Sequence, residues 1–240
     1  MPRPAGARIV LSRPSHPGNI GAAARAMKTM GFTELALVQP RFFPDPDATA
    51  MAAGAADVLA QAVVHDSLGG ALADCAHAVG FSARGRDLSH APESLRDAAP
   101  SILEAQGRGK VALVFGNESS GLSNDELLLC QRLVCIPANS AYSSLNLAAA
   151  VQVACYELAT ASRSHRLPAA GAGVAATGDD VRGFFEHLES AVNESGYVDP
   201  EKPGRFMERM RRLFARSGLE REEVKVLRGM LASFEKRMRR

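Results

Sequence analysis

Arg132-Leu133-Val134-Cys135-Ile136-Pro137 reads as a short buried strand closed by a proline, and the segment after it decides the fold. Ala138-Asn139-Ser140-Ala141-Tyr142-Ser143-Ser144 is a polar loop of small residues. From Leu145 the pattern turns helical, with Leu147, Val151, Ala154 and Leu158 recurring at the spacing of one buried face. Ser143 or Ser144 is placed to cap that helix, because a hydroxyl there accepts from a free N–H of the first turn. A strand that delivers its chain into a helix N-terminus turns backbone N–H groups outward, toward a ligand. The alanines of the helix (Ala148, Ala149, Ala150, Ala154) allow close packing on its neighbours. An ordinary α/β core contains the same strand–loop–helix unit, so both readings stand.

Outward from this stretch, strands and helices alternate. Lys110 to Phe115 is a buried strand running into Gly116-Asn117-Glu118-Ser119-Ser120-Gly121-Leu122, whose two glycines permit a tight backbone curve against a ligand. The loop is neither a P-loop nor a GxGxxG fingerprint, so phosphate cradling is not indicated. Ser123 or Asn124 caps a helix over Asp125 to Cys130. Nearer the start, Arg8 to Leu11 begins a strand, and Ser12 to Gly18 is a loop with two prolines and a glycine. Asn19 caps a helix that Gly31 stops after Met30. On that helix Gly21, Arg25 and Lys28 stack, so Arg25 stands over a glycine with room beside it. Arg25 reads either as a surface salt-bridge partner or as a functional cation; no carboxylate lies three or four residues away in the helix. Strands are expected over 35–38, 62–65 and 76–81, with helices over 49–60 and 67–74. Ser82 to Pro92, carrying Arg84 and Arg86, is a binding loop or lid, or else a plain surface loop. This alternation predicts an α/β domain with a mostly parallel sheet and ligands at the carboxyl ends of its strands.

After Ala161 the texture changes. Residues 163–178 are rich in Ala, Gly and Pro and read as a flexible linker between a domain over 1–162 and a helical module over 179–240. That module presents Val181, Phe184, Phe185, Leu188 and Val192 on one face, followed by helices over 204–217 and 220–240. It is too small to bury much surface alone and should pack on something. From Lys202 onward there are 13 Lys and Arg against 5 Asp and Glu, whereas the rest of the chain is mildly acidic. A basic end suits a polyanionic partner, or is a solvated helical face. The 240 residues contain no apolar run long enough to span a membrane and no N-terminal secretory signal. The four cysteines, without CxxC pairing or histidines at ligand spacing, read as buried thiols in a reducing, cytoplasmic compartment, and no metal site is expected.

Three segments taken together resemble the SPOUT methyltransferases. Asn19-Ile20-Gly21-Ala22-Ala23-Ala24-Arg25-Ala26-Met27 resembles motif 1 and Phe115-Gly116-Asn117-Glu118-Ser119-Ser120-Gly121-Leu122 motif 2. Ile136-Pro137-Ala138-Asn139 with Tyr142-Ser143-Ser144-Leu145-Asn146-Leu147 resembles motif 3. Gly196-Tyr197-Val198-Asp199-Pro200, Pro203-Gly204, Arg211-Arg212-Leu213-Phe214-Ala215-Arg216 and Leu227-Arg228-Gly229-Met230-Leu231 resemble the C-terminal extension of the TrmJ-type tRNA 2′-O-methyltransferases. The resemblance implies a SPOUT-type parallel sheet with a C-terminal trefoil knot, followed by a small all-helical domain. It also implies a homodimer, S-adenosylmethionine as methyl donor and, as substrate, the ribose 2′-hydroxyl of cytidine or uridine 32 in the tRNA anticodon loop. The catalytic set would be Arg25, Asn19, Glu118, Ser144 and Asn146. The cofactor would lie against Leu113, Gly116, Asn117, Glu118, Gly121, Ile136, Pro137, Ser144, Leu145 and Asn146. RNA would be held by Arg84, Arg86, Arg205, Arg211, Arg212 and Arg216. One departure stands out: related sequences usually carry arginine where this chain has Asn117, and a basic residue often seen after the glutamate is replaced by Ser119 and Ser120. Other readings are an rRNA ribose methyltransferase of the same superfamily, a non-catalytic RNA-binding module, and a small-molecule α/β protein with a solvated tail.

Overall fold

The computed structural model describes residues 6–82, 92–139, 141–164, 174–199 and 205–238. Along the chain come β1 (Ala7–Ser12), α1 (Pro17–Thr29), β2 (Leu35–Val38), α2 (Pro46–Ala52), α3 (Ala56–Ala60), β3 (Val63–His65), α4 (Leu68–Ala71) and β4 (His77–Phe81). Next are β5 (Glu93–Ser94), α5 (Leu95–Gln106), β6 (Val111–Phe115), α6 (Asn124–Leu128), β7 (Arg132–Cys135) and α7 (Leu147–Ser164). Three helices end the chain: α8 (Gly178–Glu194), α9 (Phe206–Ser217) and α10 (Arg221–Met238). The seven strands are ordered β3-β2-β1-β6-β4-β7-β5, and every neighbouring pair is parallel.

Side-chain alternation sorts the strands' apolar residues onto two faces. Ile9, Leu11, Leu35, Leu37, Val79, Leu113 and Phe115 form one core with α1, α2, α5 and α7. Val10, Ala36, Val38, Ala78, Ala112 and Val114 form the other with α4 and α6. Helices on both faces are what a parallel sheet requires, and they explain why Val111–Phe115 is apolar throughout.

Several helix starts differ from expectation. α1 begins at Pro17, whose fixed φ and absent N–H suit the first turn, so Asn19 lies inside the helix rather than capping it. The helix expected over 49–60 starts earlier, where Asp45 accepts from the N–H of Asp47 at 2.8 Å, and it breaks at Ala53 into α2 and α3. α7 is capped by Asn146, not by Ser143 or Ser144: its Oδ1 accepts from the N–H groups of Ala148 (2.9 Å) and Ala149 (3.3 Å). Ser123 caps α6 as expected, in a reciprocal box with Glu126.

The space beside Gly21 is filled. A Cβ there would lie 2.0 Å from the carbonyl oxygen of Ala48 and 2.9 Å from the N of Ala52, so the glycine admits the backbone of α2, not a ligand. Gly21→Ala is expected to destabilise the protein by about 1–3 kcal/mol, read as a lower urea midpoint with an unchanged slope.

The segment expected as a linker is ordered at both ends. Arg163 and Ser164 continue α7, and residues 165–173 lie outside the described residues. Beyond them, the Ala176 N–H donates to Leu219 at 2.9 Å and the Gly178 N–H to Cys75 at 2.7 Å. The second of these bonds seats the helical module on the sheet domain. Its own core gathers Phe184, Phe185, Val224 and Leu231, with Phe214 edge-on to Phe184 at 5.0 Å.

Candidate active site

The carboxyl ends of β4 and β6 and the loops that follow β6 and β7 line a cleft of about 190 Å3. β1 and β6 are adjacent in the sheet, while the chain after β1 moves outward to β2 and β3. Ligands of open α/β sheets bind outside the carboxyl ends of the strands, and this cleft lies there, on the β4 side of β6.

The loop after β6 is a tight hairpin. Gly121 has φ +68°, and its N–H donates to the Asn117 carbonyl at 2.8 Å. The Asn117 side chain closes the curve by accepting from the Ser119 N–H (3.0 Å) and hydroxyl (2.7 Å), and it donates to the Arg13 carbonyl at 2.8 Å. This neutral amide joins the loops after β1 and β6.

Glu118 holds the start of α1. Its carboxylate accepts from the N–H groups of Ser15 (2.9 Å) and His16 (3.2 Å), from the Ser15 hydroxyl (2.9 Å) and from Asn19 Nδ2 (3.0 Å). A carboxylate at a helix N-terminus also meets the positive end of the helix dipole. Burial pushes the Glu118 carboxyl up, but the hydrogen bonds from Asn19 and Ser15 pull harder and leave it below its ordinary value.

Asn146 completes a chain of amides with one allowed polarity. Its Oδ1 is used by the N–H groups of α7, so its Nδ2 faces Asn19 and donates to Asn19 Oδ1 at 2.9 Å. Asn19 then has only its own Nδ2 left for Glu118, which must accept. Asn146, Asn19 and Glu118 thus bind the loops after β7, β1 and β6 into one unit. Ser144 and Leu145 line the cleft beside them, together with Gly116, Asn117, Glu118, Gly121 and Ile136.

Three residues of the expected cofactor set do not line this cleft. Leu113 is fully buried in the sheet core. Pro137 lines a neighbouring cavity whose wall shares Ile136 and Leu145 with the cleft, and Asn146 serves the amide chain. Arg25 is exposed on α1, and its guanidinium forms no hydrogen bond or ion pair with another described residue. Lys28, three residues on, is held by Asp57 at 2.8 Å. Arg84 and Arg86 lie outside the described residues. Arg205 and Arg216 are exposed at the two ends of α9, Arg212 is half-buried, and the Arg211 guanidinium sits 4.7 Å over the Phe185 ring, where it is part of the packing.

Other contributors to the site carry no local sequence signal of that role. Phe81 and Phe115, the last residues of their strands, stack at 4.2 Å and form an apolar wall of the cleft. Buried Ser12 donates to the buried carboxylate of Glu126, which also accepts from the Ser123 N–H at 2.6 Å and from Arg13 at 2.7 Å. Ser-x-x-Glu at 123–126 was a visible capping signal, but nothing local tied it to β1.

Burial raises the Glu126 carboxyl, yet the bonds from Ser12 and Ser123 and the Arg13 charge bring it below its ordinary value. Carboxyls depressed in the folded state add stability above their unfolded pKa, and that stability is lost as pH falls through the folded value. The urea midpoint is therefore expected to hold near neutrality and to drop as pH falls below ~4. Glu126→Gln should lower the neutral midpoint and flatten the acid limb; an unchanged acid limb would refute this assignment.

Among the described residues, no three His, Cys, Asp or Glu side chains group as metal ligands, and no helix is long and apolar enough to cross a membrane.

Residues 6–156 match the model of the SpoU rRNA methylase family, and residues 179–240 that of the tRNA methyltransferase TrmJ C-terminal domain. The chain is 45% identical over 234 residues to the tRNA (cytidine/uridine-2′-O-)-methyltransferase TrmJ of Yersinia pestis, covering 95% of this chain and 91% of that one. The crystal structure of TrmJ from Z. mobilis ZM4 superposes with a TM-score of 0.82 at 33% identity, over 95% of this chain and 98% of the other. The SpoU methyltransferase AviRb from Streptomyces viridochromogenes, in complex with the cofactor AdoMet, superposes with a TM-score of 0.54 at 25% identity, over 69% and 63% of the two chains.

Proposed function

The chain belongs to the SpoU rRNA methylase family, and from that membership we propose that it methylates a ribose 2′-hydroxyl of tRNA, at the pyrimidine of anticodon-loop position 32, with S-adenosylmethionine as donor. The observation that carries the reading is the amide chain Asn146–Asn19–Glu118, which joins the three motif loops beside the cleft.

The cleft suits the cofactor. Phe81, Phe115, Leu122 and Ile136 offer an apolar slot for a flat base, edged by the peptide groups of the 116–121 hairpin. A Cβ on Gly116 would lie 2.1 Å from the Gly121 carbonyl carbon, so the hairpin hugs its own first residue. Gly116, Gly121, Ile136 and Leu145 would hold the cofactor. When bound, S-adenosylmethionine supplies an electrophilic methyl group on a positively charged sulfur.

A ribose hydroxyl is a weak nucleophile and needs placement and help in losing its proton. Arg25 cannot act as a base, because a guanidinium stays charged in proteins. Its role is to anchor the adjoining phosphate and to stabilise the developing alkoxide, while the proton leaves to phosphate or water. Ser144 orients the ribose at the cleft edge, and Asn19, Glu118 and Asn146 keep the loops in register. Arg205, Arg212 and Arg216 on α9, with Arg84 and Arg86, grip the tRNA backbone. The working unit is a homodimer, supported by Tyr142 and Tyr156, which stand 79% and 52% exposed on and after the third loop. The loops at 116–122 and 136–146 are the segments that would thread the family's trefoil knot. Free thiols and a tRNA substrate accord with the cytoplasm.

Methyl transfer from labelled S-adenosylmethionine to total tRNA tests the proposal, with the product mapped by nuclease digestion and mass spectrometry. A 2′-O-methylated pyrimidine 32 is expected. Transfer to rRNA alone would replace the substrate, and RNA binding without cofactor binding would replace the enzyme by a binding module.

A further inference from the structure

The loop joining β2 to α2 belongs to none of the three motifs, yet it lies on the same rim of the sheet. Strand β2 pairs with β1 in register Ser12 to Val38, so the chain leaving β2 emerges beside the loop that reaches Glu118. The two loops touch: the Arg41 N–H donates to the Pro14 carbonyl at 3.1 Å. Pro14 precedes Ser15, whose N–H and hydroxyl are bonded to Glu118 in the cleft. Phe42 is therefore connected to the cleft wall through two hydrogen-bonded contacts, Arg41 to Pro14 and Ser15 to Glu118.

The loop is held at both ends. At its start Gln39 donates its N–H to His65 at 3.0 Å and its side-chain amide to Asp66 at 2.8 Å. At its end Phe43 packs against the core and Asp45 caps α2. Between them Phe42 points out, 48% exposed, with the Arg41 guanidinium 5.2 Å above its ring centroid. Arg41 is exposed and makes no ion pair with another described residue. The pair presents a flat exposed ring beside a positive charge that no carboxylate of the described residues holds. It is the combination on which unpaired nucleobases stack, with the cation drawn to the adjoining phosphate.

We infer that Arg41 and Phe42 form a stacking platform for an unpaired base of the RNA substrate, next to the nucleotide that enters the cleft. The inference rests on the methyl-transfer reading of that cleft. Paired RNA, whose bases are not free to stack, would not engage the platform, so these residues select a loop over a stem.

The chain contains no tryptophan, so Phe42→Trp installs a single fluorescent reporter on the platform. Titration with an anticodon stem-loop RNA is expected to quench it, and a fully paired two-strand RNA duplex of equal nucleotide count is expected not to. Phe42→Ala should raise KM for tRNA by roughly 5- to 150-fold while sparing kcat and cofactor affinity. Phe42→Trp, which keeps a stacking face, should hold or lower KM. An unquenched indole in an enzyme that still methylates tRNA overturns the inference, as does an unchanged KM for Phe42→Ala. Indole emission that depends on protein concentration without RNA would assign Phe42 to a contact between copies and likewise overturn it. If the wild-type protein methylates no RNA, the functional proposal itself fails and takes this inference with it.

Discussion

Arg25→Ala is expected to lower kcat for tRNA methylation by about 10²–10³-fold, the usual cost of removing one preorganised donor from a developing oxyanion. The substitution should be structurally silent. Arg25 is exposed, and no other described residue depends on its guanidinium, so the urea midpoint should move by no more than the ~0.5 kcal/mol typical of a surface change. Cofactor affinity should also hold, because Arg25 does not line the cleft. Arg25→Lys restores charge without the planar fork that grips phosphate bidentately. Partial recovery is therefore expected, and near-wild-type turnover by the lysine variant would show that charge alone suffices.

Gly116→Ala should act on the other half of the reaction. Its new Cβ would meet the Gly121 carbonyl carbon at 2.1 Å, the Gly121 oxygen at 2.5 Å and the Leu122 nitrogen at 2.2 Å. All three are backbone atoms, so no rotamer change relieves them, and the hairpin has to open. Overpacking of this kind costs about 1–3 kcal/mol. Spent on a hairpin that lines the cleft, it is expected to raise the S-adenosylmethionine Kd by roughly 10- to 100-fold in calorimetry. Gly121→Ala is the internal comparison: nothing crowds its Cβ, and only the left-handed φ of +68° opposes the change. Its effect should be smaller, near ~1 kcal/mol. Unchanged cofactor affinity in Gly116→Ala would remove the cofactor from this cleft.

The buried strands were legible because apolar runs such as Val111–Phe115 carry their own signal. α5 (Leu95–Gln106) was not read at all, since Pro100 inside it imitates a boundary while Ala98, Ala99, Ile102 and Leu103 build its buried face. The motif residues could be pointed to, but not what they do to one another. Asn19 looked like a cap and Ser143 or Ser144 looked like another; a carboxylate from a distant loop took over at the first place, and the neighbouring Asn146 took over at the second. Glu118 supplies the acceptors at the start of α1, and Asn146 caps α7 while donating to Asn19. Likewise Gly21 signalled space correctly but not its occupant, because the approach of Ala48 is a tertiary event.

The amide chain also constrains how the enzyme comes into being. Asn19 is 99 residues from Glu118 and 127 from Asn146. During synthesis the first strand and helix therefore wait, without their anchoring carboxylate, until β6 and then α7 have left the ribosome. Contacts so remote in sequence slow folding, because a large loop has to close before it is rewarded. A nascent chain ending before Asn146 would leave Asn19 without its amide donor and α1 without α7 beside it, and trapping of labelled S-adenosylmethionine by stalled ribosomes should begin only after that residue emerges.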